Sequence, residues 1–261
     1  MTDFSTLLAS ITTDAETCSV TATDDWLQGR TLYGGLAAAF CLEGAARQFA
    51  DLPPLRSAQF AFVGPAVGTV TVRASLLRRG KSTVFLGVEL SGEAGLATRA
   101  TLCYGVARDS VVAFDGIATP TVAAPADCPV FFRDIPGLNF VQHFDTHLAA
   151  GHFPLSGNDP DMTLWLRHRD PNAPASATAL MALADAAPPA AMVRFPKFAP
   201  ISTMTWAIDL LTDRLETAEG WWLVRTAAET IASGYSSQAI TVWNAARQPV
   251  MACRQNVAVF I

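Results

Sequence analysis

Clustered positive charge is what this 261-residue sequence most plainly lacks. Its 18 Lys and Arg are scattered among 23 Asp and Glu, for a formal net charge of −5. Phosphate backbones demand grouped cations, so nucleic-acid binding is set aside. Long apolar runs are missing too. Stretches such as Leu36 to Leu42 fall far short of the roughly 20 residues that a membrane-spanning helix needs. Met1 to Asp14 carries acids where a secretory signal would carry a basic region and then an apolar one, so a cytoplasmic protein is expected. Five cysteines (Cys18, Cys41, Cys103, Cys128, Cys253) are odd in number, widely spread and never in a CxxC pair. That pattern suggests neither a disulfide framework nor a zinc site, and the thiols are expected as small buried hydrophobes. No GxSxG, P-loop or GxGxxG occurs, which argues against an α/β serine hydrolase and against nucleotide folds. His143, Asp145 and His147 alternate with Phe144, Thr146 and Leu148 as a solvent-facing polar set would, without zinc-ligand spacing. Neither a metal nor a cofactor is expected.

What is present is a globular composition, 51% hydrophobic and 16% charged. Tyr33-Gly34-Gly35 leads into an Ala- and Leu-rich run from Leu36 to Phe49, which predicts a largely buried helix stopped by Pro53-Pro54. Four strands are predicted after it: Leu55 to Val63, Val67 to Leu77, Thr83 to Leu90 and Leu96 to Val106. The second alternates most clearly, with Val70, Val72, Ala74 and Leu76 opposite Thr69, Thr71, Arg73 and Ser75. A Pro- and Ala-rich stretch, residues 119–136, reads as a connection. Beyond it, strands are predicted at Gln142 to Leu148 and Met162 to Arg169, then a second helical run, Ala173 to Val193, broken by Pro188-Pro189. Four more strands close the chain, near Ile201 to Leu211, Trp222 to Ile231, Gln238 to Asn244 and Val250 to Phe260. An offset of 154 residues carries the Gly80 turn onto the Gly234 turn and Thr101 onto Gln255, so the order of elements suggests a duplication. The class is α+β.

The helix, the run Leu55-Arg-Ser-Ala-Gln-Phe-Ala-Phe-Val-Gly-Pro65 and the turn Leu77-Arg-Arg-Gly-Lys-Ser82 together resemble the double-hotdog acyl-CoA thioesterases of the bacterial thioesterase II type. The resemblance extends from about Trp26 to Phe260. It implies two long central helices wrapped by one continuous curved antiparallel sheet. The expected division is an N-terminal hotdog at 1–118, a linker at 119–136 and a C-terminal hotdog at 137–261. It implies hydrolysis of acyl-CoA within fatty acid metabolism, and a homo-oligomer. It also implies that Asp185, Thr203 and Gln255 position a hydrolytic water. Where the family often has His in the first strand after the helix, this chain has Gln59. Hotdog dehydratases typically place an Asp five residues before a His, and none of the four histidines here has one.

The residues give these assignments separate support. Gln255 shares a strand face with Cys253, Val257 and Val259, where an unpartnered amide would cost about 1–3 kcal/mol; a structural Gln bonded to backbone is the plainer alternative. Asp185 stands in Leu180 to Ala187, a run with no other charge. Burial would raise its pKa unless donors offset it, whereas an exposed carboxylate before Pro188 would have no such role. Thr203 lies in a strand where alternation groups Ile201, Thr203, Thr205 and Ala207 against Ser202, Met204, Trp206 and Ile208, so Ser202 or Thr205 could take its place. Gly34 and Gly35 offer unsatisfied helix N–H groups to a developing oxyanion, or serve only close packing. An apolar tunnel between helices and sheet would take the acyl chain. A non-catalytic acyl-CoA or fatty-acyl binding protein of the same fold is the alternative function.

Overall fold

The computed structural model describes residues 1–132 and 135–261; positions 133 and 134 of the expected linker lie outside the described residues. A short helix not foreshadowed by the sequence pattern, α1 (Phe4–Ala9), buries Phe4, Leu7 and Leu8 on one side. Four small strands follow: β1 (Thr12–Thr13), β2 (Cys18–Thr21), β3 (Leu27–Gln28) and β4 (Thr31–Leu32). The predicted first helix is α2 (Gly34–Gln48), with Gly35 to Leu42, Gly44 and Ala45 buried. Small residues let it lie flat on the sheet. A Cβ on Gly44 would come within 2.6 Å of Val72, so only glycine permits this separation. Each fully buried Leu or Phe of α2 contributes about 1.5–3 kcal/mol.

The predicted strands form with shifts of a few residues at their ends. They are β5 (Leu55–Phe62), β6 (Thr69–Arg79), β7 (Thr83–Gly92) and β8 (Gly95–Gly105) in the first half. The second half contributes β9 (Phe144–Gly151) and β10 (Asp161–His168), then α3 (Ala177–Ala184). After it come β11 (Ile201–Leu210), β12 (Trp222–Ala232), β13 (Tyr235–Asn244) and β14 (Pro249–Val259). Among the described residues, twelve strands make one antiparallel sheet in the order β1-β2-β6-β7-β8-β5-β11-β14-β13-β12-β10-β9. Outward from the central β5–β11 pair, the same succession of elements runs both ways, as a duplicated unit would give. At that seam Thr205 to Asp209 pair with Ala61 to Ser57. Alternation is clean in β7, where Val84, Leu86, Val88 and Leu90 are buried. In β6 it fails at the far end. A bulge follows Leu76, and Leu76 and Leu77 are exposed rather than turned inward.

Two expectations need correction. The second central helix is not long: α3 has 8 residues against 15 in α2. Ser176 caps its start by accepting the Ala179 N–H. It ends at Asp185, because Pro188 and Pro189 cannot donate to a helical ladder, and a 3-10 turn (Ala190–Arg194) takes over. Nor is His143 a solvent-facing residue. It is buried, stacked on Trp26 at 3.7 Å between ring centroids, and bonded to the Asp25 carbonyl. Burial, the larger influence, lowers its pKa against the opposing pull of Asp25.

The five cysteines are free, four of them buried. Among the described residues no helix is long and apolar enough to cross a membrane.

Candidate active site

The first turn of α2 and the last turn of α3 meet, and the expected acid stands at that meeting. Asp185 is the residue that ends α3. Gln255, buried on the inner face of β14, donates from Nε2 to Asp185 Oδ1 at 2.7 Å. The backbone N–H of Gly35 acts on the same carboxylate as a second donor. The residue before α2, Tyr33, gives the helix no side-chain cap, so Asp185 serves the free N–H groups of α2 from the other helix. Gly34 is there of necessity. A Cβ on it would lie 2.9 Å from Asp185 Oδ2 and 3.6 Å from the Phe62 ring.

Electrostatics follow from this enclosure. Asp185 is half-buried as a residue, and desolvation of its carboxylate pushes its pKa up to about 7. The Gln255 and Gly35 donors oppose that rise. The site therefore holds a carboxylate that changes charge near neutrality, beside an amide donor and a helix N-terminus.

Thr203 is half-buried and faces inward, opposite Val257 and two residues along the strand from Gln255. No hydrogen bond joins its hydroxyl to Asp185 or Gln255 among the described residues. The predicted grouping of its strand is wrong beyond this point. A bulge between Thr203 and Thr205 resets the alternation, so Thr203 shares the inner face with Trp206, Ile208 and Leu210 while Ser202 and Thr205 are exposed. Gln59, which replaces the His often seen in the family, points outward from β5 and is exposed, away from this site.

The expected set omits two residues. Gln238 is fully buried and lies opposite Gln255 in the β13–β14 register. It accepts the Ala190 N–H at 3.0 Å and donates to Ser236 at 2.6 Å, thereby holding the turn after α3. Its signal was available, since Gln238 sits among Ser236, Ile240 and Val242 just as Gln255 sits among apolar neighbours. Tyr33 is the other; its hydroxyl donates to the Ala182 carbonyl at 2.9 Å. A cleft of about 550 Å³ beside Arg167, Ser176, Ala179 and Trp222 lies at the opposite end of α3 from Asp185.

Family models match most of the chain: the acyl-CoA thioesterase N-terminal domain over residues 22–105 and the acyl-CoA thioesterase C-terminal domain over residues 122–259. Among curated proteins none matches. Three similar solved structures come from bacteria. A hot dog fold protein of unknown function from Alicyclobacillus acidocaldarius is 24% identical, covers 98% of this chain and 97% of its own, and has a TM-score of 0.88. The tesB protein of Mycobacterium avium subs paratuberculosis is 14% identical over 99% of this chain and 100% of its own, with a TM-score of 0.79. An acyl-CoA thioesterase II, TesB2, from Mycobacterium marinum is 16% identical over 97% and 96%, with a TM-score of 0.75. At these identities the structural likeness establishes the hotdog fold. The C-terminal family model by itself spans more than half of the sequence, and on that match the chain belongs to the acyl-CoA thioesterase family.

Proposed function

We propose that this protein hydrolyses acyl-CoA thioesters to a free carboxylic acid and coenzyme A, with Asp185 as the general base. The observation that carries the proposal is the 2.7 Å bond from Gln255 to Asp185 Oδ1 beside Gly34 and Gly35. It occupies one carboxylate oxygen and leaves Oδ2 on the side where glycine makes room. A group that ionises at about pH 7 matches the task of a general base in neutral solution.

In the proposed sequence Asp185 takes a proton from water as the oxygen attacks the thioester carbonyl. The tetrahedral oxyanion is stabilised by the N–H of Gly34, which at the first helical position has no carbonyl of its own turn to bind. Because the Gly35 N–H is engaged with Asp185, we assign Gly35 to holding the base rather than the oxyanion. Collapse expels the coenzyme A thiolate, which recovers the proton from Asp185. Thr203, on the same inner face, orients the water or the thioester carbonyl. These steps use no cofactor. The domain division at 1–118, 119–136 and 137–261, a homo-oligomeric state and a cytoplasmic location belong to the same proposal.

The test is thiol release from a panel of acyl-CoAs of different chain length, followed with a thiol reagent. Hydrolysis lost in Asp185→Ala is the expected result. Absence of thiol release from every substrate, or an undiminished rate in that variant, would overturn the proposal. Saturable acyl-CoA binding without release would instead indicate a carrier.

A further inference from the structure

Tyr33 is 1% exposed and stands directly before the two glycines of α2. Its hydroxyl donates to the Ala182 carbonyl at 2.9 Å, three residues before Asp185 and in a turn whose carbonyls have run out of helical donors. Its ring lies against Gly35, where a Cβ would come within 2.6 Å of the ring carbons. The ring also stacks on Phe140, with centroids 4.1 Å apart and planes 2° from parallel. Its main chain is fixed at both groups, the N–H to Trp26 and the carbonyl to Ala37. A phenylalanine could fill the same space. The hydroxyl is therefore the part of Tyr33 that packing does not require, and it joins the start of one central helix to the last turn of the other.

We propose that the Tyr33 hydroxyl is a positioning group that ties the last turn of α3 to the first turn of α2 and so fixes the Gly35 N–H against the Asp185 carboxylate. The inference rests on the reading of Asp185 as the base. Its consequence concerns proton affinity. Among the described residues, the titratable groups that interact with Asp185 are the Tyr33 phenol and the Cys253 thiol. Burial pushes both above their ordinary values, so both stay neutral in the working range. With no neighbouring charge among the described residues to set its ionisation, Asp185 depends on its two donors, Gln255 and Gly35. Loosening one of them makes the charged form harder to reach.

Tyr33→Phe keeps the ring, the stack and the contact with Gly35, and removes only the tie. The experiment is a carboxyl-carbon NMR titration of the intact chain carrying 13C-labelled Asp, with Asp185→Asn used to identify the resonance. The midpoint of Asp185 is expected to rise by about half to one pH unit in Tyr33→Phe, as the loss of a modest hydrogen-bond contribution would give. The ascending limb of kcat/KM is expected to move with it. An unmoved midpoint overturns the proposal, whatever happens to thermal stability. Phe140→Leu supplies the second test, because it weakens the stack and keeps the hydroxyl. A midpoint at the wild-type value there supports the tie, and a rise as large as that in Tyr33→Phe overturns it by making ring packing the cause. A shifted midpoint in a protein that releases no thiol would retain the positioning role and discard the hydrolytic one.

Discussion

At Asp185, hydration and reactivity pull in opposite directions. Enclosing the carboxylate costs stability, and the same enclosure brings its ionisation to about pH 7. The rate constant kcat/KM is accordingly expected to rise through about pH 7 and to lose that limb in Asp185→Asn, with a fall of about 10²–10⁴-fold at the plateau. A steady-state pH profile checks both. The sign of the stability effect is also fixed. The folded-state pKa lies above the unfolded value, so the native state holds the extra proton between about pH 4 and pH 7, and this group's contribution declines as pH rises through that window. Asp185→Asn removes the decline. Its stability relative to wild type should grow by about 2–3 kcal/mol between pH 5 and pH 8, as measured by urea denaturation. Gln255→Ala removes the 2.7 Å donor, so the ascending limb should move to higher pH while kcat falls. Gln255 could be picked out from the sequence because an amide on an apolar strand face stands out. The partner of Gln255 could not, because residues 70 positions apart in sequence meet only once the strands and helices have packed.

Elements fixed by local chemistry were readable in outline and misjudged where a single residue changes the geometry. The bulge after Thr203 moves every later residue of β11 to the opposite face from the one simple alternation assigns. Nothing in Ile201-Ser-Thr-Met-Thr-Trp206 advertises it, since bulges are set by how partner strands twist. The shortness of α3 was written in Pro188 and Pro189, but a uniform Ala and Leu composition hid where the helix stops. Gly35→Ala is expected to lose about 1–3 kcal/mol, because the added methyl meets the Tyr33 ring at 2.6 Å. Urea denaturation reads the loss. Ala207, in the strand that joins the halves, pairs with Gln59 on one side and Arg254 on the other. A proline there should cost about 3 kcal/mol or more, and loss of soluble protein or a lowered unfolding midpoint would show it.

Over the whole molecule, one sheet passes through both halves without interruption. The seam strands β5 and β11 each have a neighbour from the opposite half, and α2 packs on α3. Cutting the chain in residues 107–127 and expressing the pieces apart leaves each with an unpaired inner strand and a bare helix face. Neither piece is expected to fold alone, and together they should recover the native circular-dichroism spectrum. A stable, dispersed NMR spectrum from one isolated piece would contradict this.

The sequence by itself determined the class of fold, the strands and the first helix. It did so because two-residue alternation, Ala-rich runs and Gly or Pro stops act over a few residues. Through its resemblance it also named Asp185 and Gln255. Tertiary structure alone decided that Gln255 donates to Asp185, that Gly35 serves that carboxylate, and that Tyr33 spans the two helix ends. It also decided that α1 and His143 belong to the packed interior. Those facts depend on which distant surfaces exclude water from one another. Burial is a property of the assembled interior, and no local pattern carries it.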